Sequence, residues 1–206
     1  MSLHVFLLFL TVTTATSLMP GPNAMMTMAQ GIAHGWRGAF WTVMGSFVAL
    51  GAMMLASAAG VGAILNASEH LFEAVKWLGV GYLAYLGVMA FRAPPVRFEA
   101  GQADKGASAR SLFLKGLMCS VSNPKAFLFW GSLFPQFLNA AAPLVPQVVI
   151  LGIAAFAVEF VVMMGYGLGA AGIARYLARK GNTTLFNKIS GTTMLGAAAL
   201  LATIRR

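Results

Sequence analysis

Lys125 and Glu159 each carry a full charge near the centre of an apolar stretch long enough, at about 20 residues, to cross a bilayer. A charge at that depth costs at least about 2.5 kcal/mol on insertion scales and by default marks a functional site. Glu159 falls on a helical stripe with Gly152, Ala155, Met163, Tyr166 and Gly169, because positions three, four and seven apart share a face. Apart from the acid and the tyrosine, that stripe is small or flexible, which allows close helix approach and leaves room for a ligand. Two readings of Glu159 follow: a proton-accepting carboxylate, or half of a static ion pair with Lys125. Lys125 has three tasks open to it: pairing with Glu159, receiving a substrate carboxylate, or capping carbonyls released by a proline. The cost of an unpaired buried ammonium predicts that it faces the interior and approaches Glu159 in at least one state of the protein.

Two proline clusters flank these charges. Pro20-Gly21-Pro22-Asn23 and Asn123-Pro124-Lys125 both fall inside apolar runs. A proline within a helix removes an N–H and clashes with the carbonyl four residues back, and the freed groups need protein partners or a water-lined cavity. The first cluster predicts two half-helices, with Asn23 close to the N-terminus of the second, where free N–H groups and the positive dipole end can hold a carboxylate. A packed proline kink is the simpler alternative. The candidate substrate-binding set is therefore Pro20, Gly21, Pro22, Asn23, Asn123, Pro124, Lys125 and Tyr166, with Glu159 as the proton-coupling residue.

Other chemistries lack their residues. His4, His34 and His70 fall near span ends without ligand spacing, so no metal site is expected. Cys119 stands alone, which removes any intrachain disulfide relay and fits a small buried residue. No nucleotide-binding motif is present and no cofactor is expected. The GxxxG frame from Gly165 to Gly169 is a weak sign of helix packing, and the methionines, Met163 and Met164 among them, read as packing or lipid-facing residues.

These residues sit in a chain of 206 with 9% charged and 59% hydrophobic residues and a mean hydropathy of +0.78; soluble domains carry roughly 25% charge. The reading is an all-α membrane protein, a single polytopic transmembrane domain over 1–206. Six spans are predicted near Leu3 to Gln30, Ala39 to Leu65, Leu71 to Phe91, Ser111 to Phe134, Leu144 to Ala174 and Leu185 to Ile204. The first lacks the positive start of a cleaved signal and is read as a retained span. The loop Arg92 to Arg110 is too short and too polar to bury a core.

The net charge of +9 suggests nucleic acid until the charges are mapped. Ten basic residues flank the first, third and fifth loops, against three on the opposite side. The positive-inside rule turns that asymmetry into an orientation: N- and C-termini outside, which in a bacterial inner membrane is periplasmic, and the 92–110 loop on the cytoplasmic side. Trp36, Trp41, Trp77 and Tyr176, near span ends, suit the interfacial aromatic belt.

Pro22 and Pro124 are 102 residues apart in a chain whose half-length is 103, and Lys76-Trp77-Leu78-Gly79 is matched by Lys188-Ile189-Ser190-Gly191. Two landmarks in the same order suggest duplication. Three spans per copy place the copies in opposite orientations, an arrangement of transporters with the substrate site at the repeat interface. The repeats are expected at about 1–91 and 111–206, with proline-broken helices 1 and 4.

The motifs Pro20-Gly21-Pro22-Asn23, His34-Gly35-Trp36-Arg37-Gly38, Tyr82-Leu83-x-Tyr85-Leu86-Gly87, Asn123-Pro124-Lys125, Phe134-Pro135-Gln136-Phe137 and Gly165-Tyr166, in this order, resemble the LysE/RhtB family of bacterial amino-acid exporters. Asn187-Lys188-Ile189-x-Gly191 looks most like its homoserine and homoserine-lactone efflux branch. The resemblance implies a six-span inner-membrane carrier that expels small neutral amino acids or derivatives, of the homoserine, homoserine-lactone and threonine class, using the proton gradient. It is not expected to be an enzyme. Some lysine-exporting relatives carry an acid in span two, whereas Gly45 to Met53 here has none; a dibasic substrate is therefore disfavoured and Glu159 is left as the membrane carboxylate for coupling. The implied partners are an amino acid, protons and the lipid bilayer, with homo-oligomers open and no nucleic acid. A metal-ion exporter would need clustered ligands, and a thiol-disulfide electron carrier would need a second membrane cysteine.

Overall fold

A computed structural model describes residues 1–67, 69–92, 106–139 and 141–177, together with isolated positions between 184 and 202. The described residues form helices and turns, in the order α1 (Leu3–Leu18), α2 (Pro22–Ala67), α3 (Glu69–Arg92), α4 (Ala109–Val121), α5 (Pro124–Leu128) and α6 (Leu144–Leu177). A π-turn over Phe129–Leu133 and a 3-10 turn over Phe134–Phe137 follow α5. The sixth predicted span and the 92–110 loop lie largely outside the described residues.

Both proline clusters break their helices. Helix α1 ends at Leu18, the chain runs extended through Met19, and α2 opens with Pro22 at its first position. Proline suits that place because its missing N–H would have no intrahelical partner there. Helix α4 stops at Val121, Asn123 is extended, and Pro124 starts α5 under the Asn123 side chain, whose Oδ1 accepts the Lys125 N–H at 3.0 Å. The fourth span therefore continues as short helix, π-turn and 3-10 turn, where the sequence reading had it end near Phe134.

The predicted turn over Gly31 to Gly38 narrows to one residue. Gly35 has φ 63° and ψ −155°, backbone that glycine adopts without penalty. A Cβ on Gly38 would lie 2.3 Å from the Gln30 carbonyl oxygen. Positions eight apart in a straight helix are separated by about 12 Å, so the chain doubles back at Gly35 and α2 is a hairpin of two arms. Helix α6 lies against both arms: Gly31 meets the Gly167 backbone, and Gly167 meets Ala39.

The aromatic core holds the frame around the breaks. Phe9 of α1 packs edge-on against Phe137, ring centroids 5.1 Å apart, and Trp130 against Phe134 at 5.0 Å. A second cluster of Ala24, Met28, Val43, Met163, Tyr166 and Ala170 joins the hairpin to α6. Outward, α6 presents Val145, Ile153, Val161 and Leu168, all more than 60% exposed. These positions spread over a broad outward arc of the helix suited to lipid. Helix α6 over Leu144–Ala170 is long and apolar enough to cross a membrane, and by length and composition so is the Pro22–Gly60 stretch that the Gly35 bend divides.

Candidate functional site

The two helix breaks lie against each other, and the charged residues meet there. Lys125 Nζ reaches across to the end of α1 and donates to the carbonyl oxygens of Thr16 at 2.7 Å and Met19 at 2.8 Å. The last carbonyls of a helix have no partner within it and carry the negative end of its dipole, so a lysine is well matched to them. These carbonyls were released by the Pro20–Pro22 break rather than by the lysine's own neighbour, Pro124. Tyr166 of α6 donates its hydroxyl to the Leu18 carbonyl at 2.5 Å, capping the same end. Gly21 lies beside the lysine: a Cβ there would be 3.5 Å from Lys125 Nζ, an ordinary van der Waals contact.

Glu159 points into the same region from α6. Its Oε2 accepts a hydrogen bond from Ser17 Oγ at 2.5 Å, so the acid is tied to α1 by a neutral donor. Lys125 and Glu159 line one cavity yet form no ion pair, each being held by α1 instead. That arrangement differs from the static-pair reading of the sequence. Lys125 uses two of its three ammonium protons and Glu159 one of its two oxygens in these bonds, which leaves one proton and one oxygen for a ligand.

Thr13, Thr16, Ser17, Gly21, Asn23, Asn123, Lys125 and Glu159 give the cavity its polar wall; Leu50, Phe129, Trp130, Phe156 and Met163 give the apolar one. Phe156 connects Trp130, 6.0 Å away, to Phe47, 4.8 Å away, which fixes the aromatic side. About 50 Å³ is open to the centres of water molecules, room for several waters at roughly 10–15 Å³ each. That is the scale of one small amino acid. Helix α2 contributes its N-terminus: the first backbone bond of its ladder runs from Met25 N–H to Gly21 O, leaving the N–H groups of Asn23 and Ala24, two lining residues, outside that ladder.

Of the residues singled out from the sequence, Gly21, Asn23, Asn123, Lys125 and Glu159 converge on the cavity. Pro20, Pro22 and Pro124 shape the breaks without lining it, and Tyr166 acts from behind through the Leu18 carbonyl. Ala155 and Met163 of the α6 stripe do line it, whereas Gly152 packs against Met54. Cys119 is half-buried, its Sγ 3.5 Å from Asn23 Oδ1. Sequence reasoning missed Thr13, Thr16 and Ser17. Their signal was present: three hydroxyls at i, i+3 and i+4 occupy one face of an otherwise apolar helix.

Comparison with known proteins follows the same outline. The family described as LysE type translocator matches residues 14–205. The chain is 31% identical to an uncharacterized membrane protein of Vibrio cholerae, over 100% of both chains. It is 34% identical to the homoserine/homoserine lactone efflux protein of Salmonella typhimurium, covering 96% of this chain and 95% of the relative. It is 35% identical to the leucine efflux protein of Klebsiella pneumoniae, covering 91% and 90%. No solved structure matches the chain.

Proposed function

Because this chain belongs to the LysE family of translocators, we propose that it is a proton-coupled exporter of small neutral amino acids or their derivatives, of the class named for the homoserine/homoserine lactone relative. The observation that carries this reading is the pairing of an ammonium and a carboxylate, unlinked to each other, in one amino-acid-sized cavity at the junction of two broken helices. A zwitterion has the complementary charges. Its carboxylate would take the third proton of Lys125 and the N–H groups at the start of α2, where the dipole favours an anion. Its ammonium would go to Glu159, displacing or sharing the Ser17 hydroxyl.

Export against a gradient needs an energy source, and a carboxylate that binds either a proton or the substrate ammonium, exposed to each side in turn, supplies the coupling. In this reading the chain is one transmembrane domain of two inverted three-helix repeats meeting at the breaks, in the inner membrane, with both termini periplasmic. The neighbouring positions of the two breaks support the repeat, and the basic asymmetry of the loops supports the orientation.

Proteoliposomes provide the test. Glu159→Gln keeps the size and the hydrogen bonding of the side chain but cannot lose a proton. Gradient-driven homoserine efflux is expected to fall to background in this variant, with exchange of labelled for unlabelled homoserine persisting. Uphill export at the wild-type rate would show that the proton is carried elsewhere.

A further inference from the structure

Thr13 is buried, 4% exposed, and its hydroxyl has no hydrogen-bond partner. That is unusual for a threonine in a helix. Thr11, Thr16, Thr27 and Thr42 each donate to the carbonyl four residues earlier, the ordinary way for such a side chain to satisfy itself inside a protein. Thr13 forgoes that bond. Ser57 and Ser120 also carry buried hydroxyls without partners, but among the described residues Thr13 alone of these three lines the cavity.

The position of Thr13 along α1 gives its hydroxyl a use. It lies one turn from Ser17, the residue that holds Glu159, and on the side away from the break where Lys125 caps the helix end. Four residues of helix rise about 6 Å along the axis. A substrate with its carboxylate at the break and its ammonium at Glu159 would bring a side-chain oxygen toward Thr13 when that side chain runs along α1 away from the break. The facing walls, Phe129, Trp130 and Phe156, offer an aliphatic side chain contact but offer an oxygen no partner except the indole N–H. A hydroxyl can both donate and accept, so Thr13 complements an alcohol.

We propose that Thr13 is the specificity-determining residue of the cavity, hydrogen-bonding the side-chain oxygen of a hydroxy amino acid and so favouring homoserine over an aliphatic amino acid such as leucine. This rests on the export reading given above and deepens it. A site that leaves a buried polar group unpaired by the wrong substrate discriminates more strongly than one that only measures size.

The experiment is competitive transport in proteoliposomes, with labelled homoserine and leucine supplied together to the wild type, Thr13→Val and Thr13→Ser. Valine keeps the shape and removes the hydroxyl; serine keeps the hydroxyl. The homoserine-to-leucine ratio is expected to fall about tenfold in Thr13→Val, the worth of one lost hydrogen bond, and to stay within about twofold of wild type in Thr13→Ser. The rise in Tm on adding homoserine to purified protein is expected to shrink in Thr13→Val, while its ligand-free Tm holds or rises, because no satisfied bond is lost. An unchanged ratio in Thr13→Val with transport intact overturns the proposal and leaves the export reading standing: the hydroxyl is then filled by water or idle. A wild type that moves neither amino acid overturns the export reading, and the Thr13 assignment falls with it.

Discussion

Lys125 acts on the protein before it acts on any substrate. Its two hydrogen bonds close the open end of α1, and hydrogen bonds to a charged group are worth about 1.5–3 kcal/mol each. Lys125→Met keeps the length and apolar stem but returns both carbonyls to an unsatisfied state, so stability in detergent is expected to drop by about 2–4 kcal/mol. Most of that loss should remain when Glu159 is also replaced by Gln, because the carbonyls, not the acid, are the partners in contact. A denaturation midpoint for each single variant and the pair decides it. If the loss disappears in the double variant, the dominant partner of Lys125 is Glu159 after all. The two charges were legible in the sequence because their burial is expensive enough to need a reason. Ser17 was not: its role arises from the approach of α1 to α6 across 142 positions of chain, and a serine in an apolar helix is cheap enough to need no explanation.

At the scale of elements, glycines decide how close the helices come. A Cβ on Gly116 of α4 would meet the Thr42 carbonyl of α2, and one on Gly45 of α2 would meet the Phe113 carbonyl of α4, both closer than 2 Å. The two backbones are therefore in contact, and Ser46 Oγ joins them by donating to Gly116 O at 3.2 Å. Gly116→Ala would force α2 and α4 apart, and overpacking of this kind costs about 1–3 kcal/mol. Gly165→Ala is the matched control, since nothing lies within 4 Å of its Cβ position and alanine is the better helix former. The expected result is a lower Tm for Gly116→Ala and an unchanged or higher one for Gly165→Ala; equal values would mean that the α2–α4 contact is not tight. The helix breaks were legible because proline acts on its own backbone wherever it stands. The packing glycines were not. The GxxxG frame beginning at Gly165 pointed to close contact in the right helix, yet the glycine pressed against both arms of the hairpin is Gly167, because spacing fixes a face but not what lies opposite it.

For the whole molecule the open quantity is direction. The apolar outer face of α6 and the family membership set the chain in a membrane; its orientation there is read from the loop charges. Nine basic residues flank the third and fifth loops and none the fourth, which by the positive-inside rule puts 92–110 in the cytoplasm. Arg205 and Arg206 weigh the other way, but two residues beyond the last span are outnumbered by nine. The prediction uses a variant with Cys119 replaced and single cysteines introduced at Ala103 or Asn139. In intact cells the thiol at 103 is expected to resist a membrane-impermeant maleimide and the thiol at 139 to react. On the proposed reading, this orientation would also give the coupling its sense: protons would enter from the periplasm and the amino acid would leave toward them, both by way of Glu159. The reverse labelling pattern would overturn this orientation and place the 92–110 loop in the periplasm.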